Sequence, residues 1–147
     1  MSQAFYLDSS AIAKRYLQEA GSVWLRTILR GDDVELFTVR IAAVEVISAL
    51  ARRRRALPEN ANELERSMEV FRNEFEDLFD LTEVSPDLIV YAMQLAERHS
   101  LRAYDAVQLA AVSNLHEQRQ IKGFPPLTFL CSDRILNECG FERRIVG

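Results

Sequence analysis

Four carboxylates stand in this 147-residue chain where folding alone would rather have none. Asp8 ends the short apolar run Ala4-Phe5-Tyr6-Leu7, and Ser9-Ser10 then opens a helical-looking stretch from Ala11 to Leu17. Asp133 repeats the shape: Leu127 to Cys131 is apolar, Ser132-Asp133 follows, and Arg134 to Glu138 reads as a short helix. A buried strand that ends in a carboxylate and turns at once into a helix puts that carboxylate at the carboxyl edge of a sheet. Ligands and chemistry collect there in open α/β folds. Glu45 falls between Ile41 and Ser48 on a helical wheel, on a largely apolar face. Asp105 has Leu109 and Val112 at i+4 and i+7, and the small Ala103 and Ala106 beside it leave room for close approach. A carboxylate left unpaired on such a face costs about 1–3 kcal/mol or more. Each therefore needs a cation, a partner or an opening to solvent.

Convergence of Asp8, Glu45, Asp105 and Asp133 would bring severe mutual repulsion unless cations neutralise it. A cluster of carboxylates without His or Cys suits Mg²⁺ or Mn²⁺, which prefer hard oxygen ligands. Divalent ions held this way activate water and stabilise charge on a phosphoryl group, so phosphodiester hydrolysis is the reaction class expected. Each acid also has a plain structural explanation. Asp8 and Asp133 could cap helices, Glu45 could be partly exposed or pair with Arg52 or another arginine nearby, and Asp105 could pair with Arg102. Together these explanations require four coincidences in chain order.

The elements that would position the four acids alternate. Val23 to Arg30 reads as a short helix, Gly31-Asp32-Asp33 as a turn and Val34 to Thr38 as a strand. A helix is expected from about Val39 to Arg55, a break at Pro58-Glu59-Asn60, and a long amphipathic helix from Asn62 to Phe79. Leu81 to Val84 is a weak strand. Ser85-Pro86-Asp87 is a strong helix start, with a capping hydroxyl, Pro at the first helical position and an acid facing the dipole. That helix reaches about His99, and the next spans about Ala103 to Arg119. After the loop at Gly123-Phe124-Pro125-Pro126 come the strand to Cys131, the short helix and a small last strand from Arg143 to Val146. Strands separated by helices imply a parallel sheet covered on both faces. The expected fold is a three-layer α/β/α sandwich with right-handed crossovers around a mainly parallel sheet of four to five strands, with residues 1–147 forming one domain.

Bulk composition fits this reading. An apolar fraction of 48% and a charged fraction of 27% belong to an ordinary globular domain. No apolar run approaches membrane-spanning length, and the start lacks the basic and apolar regions of a secretory signal. Cys131 and Cys139 match no zinc pattern and read as reduced, mostly buried thiols, as in a cytoplasmic protein. The net charge of -4 argues against bulk attraction to nucleic acid, but acids set aside for cations would even the balance.

The segments Tyr6 to Lys14, Glu45 ahead of Ala49-Leu50, Leu101 to Ala110 and Ser132-Asp133 before Gly140 resemble the PIN-domain ribonucleases. The short single-domain form is similar to the VapC toxins of toxin–antitoxin pairs. The resemblance runs from Asp8 to Gly140, and Leu101 to Ala110 is its most specific part. It implies that Asp8, Glu45, Asp105 and Asp133 hold Mg²⁺ or Mn²⁺, with Asp8 and Asp105 the firmest ligands, and that Ser9 and Ser132 orient a carboxylate or a bound water. It further implies endonucleolytic cleavage of RNA, homodimerisation, and inhibition by a cognate VapB-like antitoxin in a complex that can be larger than a dimer.

Arg52-Arg53-Arg54-Arg55 closes a helix. Four like charges there are explained by the C-terminal helix dipole and solvation, or equally by a phosphate-binding edge in which Arg53 and Arg54 touch RNA. The run could also pair with an acidic segment of an antitoxin. Lys14, Arg15 and Arg102 are further candidates for substrate phosphates, with ordinary surface or ion-pair roles explaining them equally well. His99 and His116 lie at or near helix ends and are expected at the surface. Trp24, Tyr16 and the Phe71/Phe75/Phe79 stripe fit helical packing. Two rival functions remain. A strand-end aspartate can be the nucleophile of an aspartyl-phosphate phosphotransferase, although Asp8-Ser9-Ser10 lacks the second aspartate such enzymes commonly use. The chain could also be a non-catalytic binding module on a PIN-like fold.

Overall fold

The structure, a computed structural model, describes residues 2–131 and the backbone of residues 143–145. The expected helix at 134–138, the acid Asp133, Ser132 and Cys139 lie outside the described residues.

Five strands form one sheet in the order β3-β2-β1-β4-β5: β1 is Gln3–Leu7, β2 Val34–Val39, β3 Asp80–Thr82, β4 Leu127–Cys131 and β5 Arg143–Ile145. Every pairing is parallel. β1 is central. Tyr6 stands opposite Phe37 on one side and Phe129 on the other. All three are buried, as a strand covered on both faces requires.

The helices are α1 (Ser9–Ala13), α2 (Ser22–Leu29), α3 (Ala42–Ala56), α4 (Ala61–Leu78), α5 (Pro86–His99) and α6 (Ala103–Ile121), with a 3₁₀ turn at Pro58–Asn60. α1 packs on α3 and α3 on α4, whereas α5 pairs with α6. The chain winds outward from β1 through β2 to β3, then crosses back to place β4 on the other side of β1. With right-handed crossovers, that reversal puts the two helix groups on opposite faces of the sheet. The result is the three-layer α/β/α arrangement that the alternation predicts.

The largest boundary differences from the sequence expectation lie at the end of α1 and the start of α3. α1 ends at Ala13, so the helical-looking run to Leu17 is only partly helical. β2 extends to Val39 because Val39 pairs with Thr82, which delays α3 until Ala42. The start of α5 is as read: Ser85 accepts the Leu88 N–H at 3.1 Å, and Pro86 and Asp87 follow in the first turn. The Phe71/Phe75/Phe79 stripe is core, with successive ring centroids 5.0 and 5.6 Å apart. Among the described residues no helix is long and apolar enough to cross a membrane.

Candidate active site

Strand order reverses between β1 and β4, and in an open parallel sheet the crevice outside the carboxyl ends at such a switch point is where ligands bind. Asp8 follows β1 there, beside Cys131 at the end of β4. Its own N–H donates to Leu130 O at 3.2 Å, which extends the ladder by one residue. The side chain is only 4% exposed. Oδ1 accepts from the Ala11 N–H at 2.9 Å and from the Ser10 hydroxyl at 2.6 Å. Oδ2 accepts from the Cys131 thiol at 2.9 Å. Asp8 therefore does cap α1, and the cap is what aims the carboxylate. These three donors are neutral, so they orient the charge without cancelling it.

Glu45 sits in the first turn of α3, half-buried, and forms no ion pair with any described residue. Arg52, a candidate partner, instead donates to Ser48 Oγ at 2.9 Å. Ile41 and Val44 beside Glu45 are exposed, so its face of α3 is less enclosed than the helical wheel implies. Asp105 lies in the first turn of α6, half-buried, with Ala106, Leu109 and Val112 buried behind it.

The group that ties these acids together is Tyr104, which the sequence reading did not single out. Its hydroxyl hydrogen-bonds Ser9 and accepts from Gln108 Nε2. Burial pushes its pKa well above the ordinary 10.0, and the charges of Asp8 and Glu45 push it further in the same direction. Both carboxylates thus act on one phenol. Beneath it the chain of neutral bonds continues, with the Tyr6 hydroxyl donating to Gln108 Oε1 at 2.5 Å. Tyr6 is enclosed, and burial first, then Tyr104 and Asp8, hold its pKa well above the ordinary value. Thr38 fixes the neighbouring strand end by donating to Leu7 O at 2.6 Å. Glu45 and Tyr104 share a cavity of about 290 Å³ with Ile41, Val44, Ala103 and Val107.

The charges of Asp8 and Glu45 are thus both felt at Tyr104, Asp105 is the next residue along α6, and Asp133 lies outside the described residues. Among the described residues no three His, Cys, Asp or Glu side chains form a metal-holding group. The donors gathered at Tyr104 are carboxylate and hydroxyl oxygens, a set that fits Mg²⁺ or Mn²⁺ and not a softer metal.

The basic candidates scatter. Lys14 is buried, with Nζ donating to Ala20 O at 2.7 Å and to Glu19 at 3.2 Å. That ammonium ties down the connection after α1. Arg53 faces Glu19 at 3.9 Å, Arg54 pairs with Glu65, and Arg102 is exposed at the N-cap of α6. His99 and His116 are half-buried, not surface residues.

The family model of the PIN domain matches residues 5–119. The chain belongs to the PIN-domain family. Among solved structures, this PIN domain is similar to VapC20 of Mycobacterium tuberculosis, described as a sarcin-ricin-loop-cleaving toxin. The TM-score is 0.66 and the identity 16%, over 94% of this chain and 96% of that one. It is also similar to PAE2754 from Pyrobaculum aerophilum, with a TM-score of 0.59 and 16% identity over 99% and 92% of the two chains. FitAcB from Neisseria gonorrhoeae gives a TM-score of 0.57 and 17% identity over 90% and 89%. No curated protein matches the sequence. At such identities the likeness speaks for the PIN fold.

Proposed function

We propose that this PIN-domain protein is a Mg²⁺- or Mn²⁺-dependent endoribonuclease, the toxin of a VapBC-type toxin–antitoxin pair. The observation that carries the reading is the aimed carboxylate of Asp8 at the switch point of the sheet, with the charges of Asp8 and Glu45 both felt at Tyr104. Asp8, Glu45, Asp105 and Asp133 hold the divalent ion, with Ser9 and Ser132 orienting ligands or water. When bound, the ion supplies water activation and neutralises charge on the phosphodiester. The chain's own part is positioning. The Ala11 N–H, Ser10 and Cys131 fix both oxygens of Asp8. Tyr104 stays protonated at neutral pH and presents a hydroxyl, not a phenolate, to the acids. Arg53, Arg54 and Arg102 are the phosphate contacts. Lys14 is left out of this set, because its ammonium is buried and held by Glu19 and Ala20 whereas Arg53 and Arg54 stand at the surface.

The protein acts as a cytoplasmic homodimer and is restrained by a VapB-like antitoxin. VapC20's description as a toxin supports this setting. An aspartyl-phosphate mechanism is disfavoured by the enclosure of Asp8, whose two oxygens already accept hydrogen bonds. The test is cleavage of a structured-RNA pool with Mg²⁺, with EDTA, and with the Asp8→Asn/Asp105→Asn variant. Metal-dependent cutting that the variant loses is the expected result. Full cutting by a folded variant would overturn the assignment of the site, and metal binding without cutting of any RNA would favour a binding module.

A further inference from the structure

A second cavity, of about 570 Å³, opens between the segment after α1, the C-terminal end of α3 and α4. Its lining brings Arg15, Arg26, Arg53 and Arg66 together with Tyr16 and a single carboxylate, Glu63. Not all four cations are spent. Arg15 is paired with Glu74 at 3.0 Å, and Arg53 reaches Glu19 only at 3.9 Å. Arg26 donates Nε to Arg15 O at 3.2 Å and Nη2 to Leu17 O at 3.3 Å. Those carbonyls fix the guanidinium without neutralising it, and among the described residues Nη1 makes no hydrogen bond. Arg66 is exposed and forms no ion pair among the described residues. A pinned guanidinium with a donor to spare suits a phosphate oxygen, because its ordering is already accomplished.

The cleft is not isolated from the acids. A groove lined by Ser10, Ala13, Glu19, Ala49 and Arg52 runs between α1 and α3, with the Glu19 carboxylate offset by Lys14, and Leu17 and Arg53 line both it and the cleft. At its other end is Ser10, whose hydroxyl donates to Asp8 Oδ1. A polymer that leaves Asp8 along this groove passes Arg52 and Arg53 before it reaches Arg26 and Arg66. The small side chains of Ala13 and Ala49 leave the floor low. Tyr16 adds an aromatic wall of the kind on which bases stack. Continuity with Asp8 favours a nucleic acid strand over an acidic peptide, since only the phosphodiester has a reason to occupy both ends.

We infer that the arginine cleft is a backbone-phosphate subsite for single-stranded RNA whose scissile bond lies at Asp8. The inference rests on the nuclease reading, and its test separates the two. Binding of a short labelled single-stranded RNA of mixed sequence is followed by fluorescence anisotropy in EDTA, across a salt series, so that no cleavage is needed. Arg26→Gln/Arg66→Gln is expected to raise Kd about tenfold and to make the log–log salt slope shallower by about 1.4, as for two lost phosphate contacts. Arg53→Gln/Arg66→Gln, which removes no bond to the backbone, guards against a folding defect and should shift Kd and slope the same way. Arg98→Gln on α5 should change neither. Unchanged Kd and slope in both double variants, or an equal loss in Arg98→Gln, overturns the subsite. So does polyglutamate binding that depends on these arginines while RNA binding does not. Arginine-dependent RNA binding by a protein that never cuts would keep the subsite and discard the nuclease. Metal-dependent cutting that both double variants retain, with wild-type RNA binding, would do the reverse.

Discussion

The two ends of α1 handle negative charge in opposite ways. At the N-terminal end, Asp8 is held by a backbone N–H, a hydroxyl and a thiol. Just past the C-terminal end, Glu74 is held by the Arg15 guanidinium and the Tyr16 hydroxyl, and Glu19 by Lys14. Neutral donors aim a carboxylate and leave its charge to act on whatever enters. Ionic partners aim it and cancel it. The first arrangement suits a site that engages a cation or substrate, and the second suits a joint between helices.

Exchanging charge for an isostere at the two ends should separate them most sharply. Asp8→Asn is expected to lower metal-dependent RNA cleavage about a thousandfold, while Glu74→Gln stays within about twofold of wild type in the same single-turnover assay. Comparable losses in both would end the distinction. Stability should divide the other way. Tyr6→Phe leaves Gln108 Oε1, fully enclosed, without its donor, a loss of about 1–3 kcal/mol. Tyr16→Phe, at a half-exposed ionic cluster, should cost less than about 1 kcal/mol. Denaturant midpoints at constant m-value measure both, and equal losses would mean that burial is not what sets the cost.

The smallest effect concerns acid. Burial alone would raise the Glu74 pKa, but the hydrogen bonds from Arg15 and Tyr16 outweigh it and hold the carboxyl below its ordinary 4.5. A folded pKa below the unfolded one means that the unfolded chain binds more protons between the two. The contribution is therefore present above about pH 4.5 and fades as pH falls through the lower, folded value. Glu74→Gln should lower stability slightly at neutral pH, flatten the fall across that window, and converge with wild type at lower pH. A curve that keeps its wild-type shape would remove Glu74 from the account.

Much of the scaffold is legible in the sequence because its signals are local. Ser85-Pro86-Asp87 announces α5, and the unbroken apolar runs of β1 and β4 announce strands covered on both faces. Asp8 is legible for the same reason, as a charge at the end of such a run. Tyr104 and Gln108 are not, because an aromatic and an amide four apart on a helix look like packing. Only the tertiary fold brings Tyr6, Ser9 and Glu45 to them. An amide buried in the apolar run from Ala106 to Val112 is the one hint. The sequence leaves Lys14 open between a phosphate contact and an ion pair, because its burial depends on how the chain turns back at Ala20. Of the four acids, Asp8 and Glu45 both act on the charge-free Tyr104, and Asp133 lies outside the described residues.

The thiol bond from Cys131 to Asp8 joins residues 123 positions apart. Loop closure across such a span comes late, since its entropic cost must be met before the contact returns anything. A ribosome making this chain delivers Asp8 early and Cys131 only after α6 has emerged. Until β4 docks beside β1, Asp8 lacks the donor to Oδ2 and one wall of its crevice. The acid corner is thus completed only when β4 docks, after every other element that flanks Asp8 has been made.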